Sequence, residues 1–307
     1  MPDPAGAATI HRMIDHRLPS LNAYVEYLTG ADLPVLRHTR RQLEEARANS
    51  DRVTARQLSQ IVLQDPLMAV KVLYYIQPFR GRSLRNDITT VGGAIMMLGI
   101  EPFFNKFSDL VTVEDRLADQ PEALLGAIRT IRRVQRAAHW ANEWALWRHD
   151  LNIEEVTMAT LLHDLADILM WCFAPKLAIE VQRRQRADRA LRTTVAQEAT
   201  FGIEIRDLQL ALNRAWHLPE LLQRLTDDNQ DDIRRVRNVV LAINLARHAA
   251  NGWDDAALPD DFREIADLLG ISVDAVVERL GIPEETLPTI MALIAAHPAG
   301  ERPSVSD

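Results

Sequence analysis

Between Gly126 and Gly202 the chain contains no glycine, and Pro175 is the only proline in that interval. Tight turns draw on glycine, and proline interrupts helices, so so long a stretch nearly free of both predicts long helices. Elsewhere apolar residues also recur at helical spacing, and prolines stand where elements begin, as in Asp65-Pro66, Gln120-Pro121, Leu218-Pro219 and Ile282-Pro283. The fold class read from this pattern is all-α. Thr54-Ala-Arg-Gln57 fits a capping box that opens a helix to about Gln64, and Asp65 then caps a second helix running to about Gln77. A short strand at Val239–Ile243 is the one exception left open.

All four tyrosines (Tyr24, Tyr27, Tyr74, Tyr75) precede residue 80, and all six tryptophans lie from Trp140 onward. Two separate cores would explain that division. The expected organisation is an N-terminal helical bundle at 19–125 packed on a C-terminal bundle at 126–297, with polar Thr112–Pro121 as the boundary. Residues 1–18 and 298–307 read as loosely ordered tails.

Cys172 is the only cysteine, which excludes an intramolecular disulfide and a cysteine-rich zinc site. The first residues carry charges and lack an apolar run, and no stretch is read as approaching a membrane span. A cytoplasmic protein with no membrane partner is therefore expected. The net charge of −8 is unevenly placed, with twelve acidic residues against three arginines in 253–307. That acidity argues against a general nucleic-acid binder. Ile265–Leu280 superficially resembles a helix-turn-helix, but its second helix would present Asp274 and Glu278 against one Arg279, so DNA is not an expected partner.

His163-Asp164 carries the chemistry. Both lie in the apolar run Val156–Met170, read as one helix, where an imidazole and a carboxylate are costly unless paired. His139, with Glu143 one turn on, lies on the preceding helix, and Asn244 lies far downstream. A histidine, a His-Asp pair and a distal carboxylate on separate helices would form a divalent-metal site able to activate water against a phosphate ester.

Leu161-Leu-His-Asp164 resembles the signature helix of the HD superfamily of metal-dependent phosphohydrolases. Three further segments are similar to something narrower, the HDOD domain (HD-related output domain) of bacterial signalling proteins. They are Ile61–Leu73 with its Asp65-Pro66 pair, Ile88–Gly99, and Phe201-Gly202 with Ala215–Pro219. The resemblance implies an HD-like C-terminal bundle and a regulatory or scaffolding role without catalysis.

Departures from the hydrolase pattern point the same way. Ala166-Asp167 stands where the resemblance leads one to expect Gly-Lys, Asn244 stands where the hydrolases have their distal aspartate, and Ile205 and Asp227-Asp228 stand where relatives often have histidines. No bound metal or cofactor is expected, and His139, His163 and Asp164 are read as a buried polar cluster tying three helices. The competing reading is a divergent metal phosphohydrolase in which Asp167 or Glu143 replaces a lost ligand.

Arg129, Arg132, Arg133 and Arg136 share one helical face, read as solvated surface and also as the best anion or partner patch in the chain. Trp140, Trp144 and Trp147 form a stripe expected to pack into the core. The function expected is a non-catalytic signalling module that binds another regulatory protein and senses a small anionic ligand such as a cyclic dinucleotide.

Overall fold

Helix-capping signals place the first elements in a computed structural model that describes residues 13–77, 90–150, 152–188, 190–226, 234–250 and 252–297. α1 (Leu21–Gly30) and α2 (Arg37–Ala48) lead into α3 (Ala55–Val62) and α4 (Pro66–Ile76). The expected capping box opens α3: the Gln57 amide donates to Thr54 Oγ1 at 3.2 Å, and the Thr54 amide donates to Gln57 Oε1 at 2.9 Å. Asp65 caps α4 by accepting from the amides of Leu67 and Met68 at 3.0 and 3.2 Å. Its other oxygen accepts from the Leu36 amide at 2.7 Å, so one buried carboxylate ties the start of α2 to the start of α4.

Short helices α5 (Val91–Leu98), α6 (Ile100–Lys106) and α7 (Val113–Arg116) complete the N-terminal part. The 27-residue α8 (Pro121–Trp147) is the spine. It packs against α9 (Ile153–Leu162), α10 (Leu165–Phe173) and α11 (Pro175–Ala187), and then against α15 (Arg234–His248). Between them, α12 (Thr193–Phe201), α13 (Ile205–Ala215) and α14 (Glu220–Leu225) close the bundle. The chain finishes with α16 (Leu258–Leu269), α17 (Val273–Arg279) and α18 (Leu287–Ala296).

The protein is all-α: 73% of the described residues are helical, and no strand occurs among them. Val239–Ile243, where a strand was left open, lies inside α15. The glycines that bound the glycine-free interval each have a local reason. A Cβ on Gly126 would lie 2.5 Å from the Trp171 ring, and Gly202 ends α12 in the left-handed conformation at φ +74°.

Four expectations need correction. The tyrosine and tryptophan regions do not mark separate cores, because buried residues from both form one continuous cluster. The buried Tyr24 hydroxyl even donates to the Phe201 carbonyl at 3.1 Å, binding α1 to the end of α12. Val156–Met170 is not one helix, since the chain turns at His163-Asp164 between α9 and α10. Residues 13–18 are not a loose tail: Ile14 is buried, and its amide donates to the Phe173 carbonyl at 2.7 Å. Finally, Ile153–Phe173 is long and apolar enough to cross a membrane by length and composition alone, yet 78% of its apolar window is buried in the fold. Its apolarity serves the core.

Trp140 and Trp144 are buried as expected, but Trp147 is 46% exposed beneath the Arg279 guanidinium, 4.1 Å from its ring centroid. Ser272 caps α17 by accepting from the Ala275 amide at 3.2 Å, and α17 packs on α16 as an appendage to α15. Cys172 is fully buried, which pushes its thiol up to about 12. Asp227-Asp228, Ile88 and residues 1–12 and 298–307 of the expected tails lie outside the described residues.

Candidate functional site: an arginine-closed HD turn

The turn between α9 and α10 presents His163 and Asp164 side by side, their side chains 10% and 9% exposed. The His163 Nδ1–H donates to Asp164 Oδ1 at 2.9 Å. From α8, Arg133 Nη2 donates to Asp164 Oδ2 at 2.8 Å and reaches Asp167 Oδ2, one turn into α10, at 3.3 Å. From α15, Arg247 Nη2 stands 3.7 Å from Asp164 Oδ1. Gln197 on α12 donates to Asp167 Oδ1 at 3.1 Å. Four helices thus converge on two carboxylates, and two of them bring guanidiniums.

The electrostatics follow from that arrangement. Burial disfavours the Asp164 charge, but the His163 hydrogen bond and the charges of Arg133 and Arg247 outweigh it, holding the carboxyl well below the usual carboxylate range. Asp167 moves the opposite way: burial, with the neighbouring Asp164 charge, raises it against the pull of Arg133. Ala166-Asp167 had suggested a cation lost from this position, but Arg133 supplies one from another helix.

Beneath the turn runs a buried amide chain that the sequence reading missed. The Ala166 amide donates to Gln209 Oε1 at 2.8 Å, Gln209 Nε2 donates to Asn213 Oδ1 at 2.9 Å, and Asn213 Nδ2 donates to Thr226 Oγ1 at 2.9 Å. Gln209 and Asn213 are four residues apart on the face of α13 that also carries Leu208 and Leu212. Paired amides on an apolar stripe were the available signal, since buried polar groups require partners.

His139 does not join the cluster. Its side chain is 67% exposed and lies 3.6 Å from Glu143 on the same helix, so neither residue is brought to His163-Asp164. Asn244 is half-buried on α15 and its side chain makes no hydrogen bond among the described residues, whereas Arg247, one turn on, reaches the dyad. Ile205 begins α13 and offers no donor atom. The donor set does not fit a divalent metal: Asp164 is already engaged on both oxygens, and among the described residues no three His, Cys, Asp or Glu side chains are grouped to hold an ion.

The arginine face of α8 is not simply solvated. Arg129, Arg132, Arg133 and Arg136, together with Arg247, line a cavity of about 660 Å³ beside the dyad. Arg136 is held between two aromatic rings, 4.6 Å from Trp140 and 5.0 Å from Trp253. Trp171, Val181 and Phe201 supply apolar lining, while Gln182, Gln185 and Gln197 bring amides.

An all-helical bundle with a His-Asp turn at the junction of two core helices defines a protein of the HD class, here with its carboxylate closed by arginine. Within that class the chain belongs to the HDOD domain family, whose family model matches residues 33–231. Its fold is similar to that of the MmoQ response regulator of Methylococcus capsulatus str. Bath, at TM-score 0.60 and 21% identity over 81% of this chain and 97% of that one. It is likewise similar to a virulence factor of Campylobacter jejuni subsp. jejuni, at TM-score 0.60 and 15% identity over 88% and 95% of the two chains. No curated protein matches the sequence.

Proposed function

We propose that this protein is a cytoplasmic bacterial signalling module without catalytic activity, acting by binding another regulatory protein and responding to a small anionic ligand such as a cyclic dinucleotide. Membership of a signalling-related family supports the first part. The observation that carries the absence of catalysis is Asp164: the carboxylate that would hold a metal in an HD hydrolase is bonded by His163 on one oxygen and Arg133 on the other. A metal would have to displace a guanidinium from a buried carboxylate, leaving Arg133 with Asp167 as its one remaining partner. The reading requires no cofactor. It assigns no role to DNA, because α17 offers Asp274 and Glu278 where phosphates would lie.

The test uses the full chain, purified without a chelating tag, with manganese, iron and zinc titrated in turn. Elemental analysis finds less than stoichiometric metal in wild type and in Asp164→Ala alike, and a phosphodiester substrate is not turned over. One metal per chain that disappears in Asp164→Ala, with hydrolysis lost in His163→Ala, would establish the divergent phosphohydrolase instead.

A further inference from the structure

Five arginines line the cavity beside the dyad against a single lining carboxylate, Asp167. This is a local reversal of sign in a chain whose net charge is −8. Arg133 and Arg247 are partly neutralised by Asp164 and Asp167. Arg129, Arg132 and Arg136 have no carboxylate partner among the described residues. Guanidiniums gathered round one opening repel each other unless an anion enters, and low-dielectric walls strengthen both effects.

The spacing sets the kind of anion. Residues 129 and 136 are seven apart on α8, so the unpaired row extends roughly 10 Å along the helix. A single phosphate engages one or two guanidinium forks and leaves the rest of such a row uncompensated. The same cavity is also lined by Val181, Phe201 and the amides of Gln182 and Gln197, the last donating to Asp167, and this mixture of apolar surface and amides suits a flat ring with hydrogen-bonding edges. The cavity, about 660 Å³, is within the range of small-molecule sites.

We infer that this cavity binds a nucleoside polyphosphate, its phosphates along Arg129, Arg132 and Arg136 and its base against Val181 and Phe201. The inference rests on the anion-responsive reading above and narrows its ligand. A cyclic dinucleotide carries about two charges and a nucleoside triphosphate about four; with Asp164 and Asp167 set against the five arginines, three remain uncompensated, more than a cyclic dinucleotide neutralises.

The experiment is isothermal titration of the full chain at low salt with EDTA present, using ATP, GTP, inorganic tripolyphosphate and cyclic di-GMP as probes. At least one of the two nucleoside triphosphates binds roughly tenfold or more tightly than tripolyphosphate and cyclic di-GMP, and its affinity falls as salt is raised. Arg129→Ala/Arg132→Ala, altering two exposed side chains, weakens that binding roughly tenfold or more while its melting temperature stays near wild type. Arg183→Ala, an exposed α11 residue paired with Glu180, changes it by less than about twofold. Tighter binding of cyclic di-GMP would overturn the polyphosphate assignment and leave the anion-responsive reading standing. Equal binding of tripolyphosphate would overturn the nucleoside part, and unchanged binding in the double variant would overturn the site. Binding of none of the four would overturn the inference and the anion-responsive reading together.

Discussion

Arg133 on α8 is bonded to Asp164 at the α9–α10 turn, Nη2 to Oδ2 at 2.8 Å, and the same nitrogen reaches Asp167 at 3.3 Å. One guanidinium therefore holds two carboxylates that would otherwise repel in a buried site. Arg133→Met removes that cation and lowers stability by about 3 kcal/mol in urea denaturation, because uncompensated buried charge is costly. Adding Asp164→Leu to the same chain restores part of the loss. A loss under about 0.5 kcal/mol in the single variant would mean the bridge is solvated and energetically idle.

Asp65 makes three backbone hydrogen bonds from a fully buried position, which joins α2 to α4. Asp65→Ala strands those amides and costs about 3 kcal/mol, the sum of a lost cap and buried donors left unsatisfied. Asp65→Asn keeps one acceptor oxygen and lies between the two. Chemical denaturation of the three chains gives the order directly.

Gly126 sits where a side chain would enter the Trp171 ring. Gly126→Ala, although it favours helix locally, destabilises by about 1–3 kcal/mol through overpacking. Since Trp171 and Gly126 both line the arginine cavity, tryptophan fluorescence shifts as well. A more stable Gly126→Ala protein would show that α8 and α10 move apart freely.

His248 ties α15 to α16 through Asp261, Nδ1 to Oδ2 at 2.6 Å. The Asp261 hydrogen bond raises the His248 pKa from its ordinary 6.5, with burial opposing. The folded pKa exceeds the unfolded one, so the pair's stabilisation is complete below about pH 6.5 and is lost as pH rises through the folded value. Thermal midpoints measured from about pH 6 to 8 fall more steeply for wild type than for His248→Gln. Parallel curves would remove His248 from the pH response.

Much of this architecture is readable in one dimension. The Thr54–Gln57 box, the Asp65-Pro66 start and the helical spacing of apolar residues depend on contacts within a few residues, so local chemistry reports them. His163-Asp164 was conspicuous for a related reason, as a polar pair in an apolar run demands partners wherever it ends up. The break at that pair was not readable, because both residues tolerate helix and the turn is imposed by partners on α8 and α13.

The amino-acid order by itself determined an all-helical chain, its caps, the family pattern and a face of four arginines. Which of those arginines meets the His-Asp pair was decided only by packing. Arg129, Arg132, Arg133 and Arg136 are equivalent by helical period, yet the rotation of α8 against α10 turns Arg133 onto Asp164, leaves Arg129, Arg132 and Arg136 lining the cavity, and points His139 outward. Electrostatic partnership depends on distance between separate helices, and that distance is set by the shapes of the buried side chains between them, which no spacing along the chain encodes.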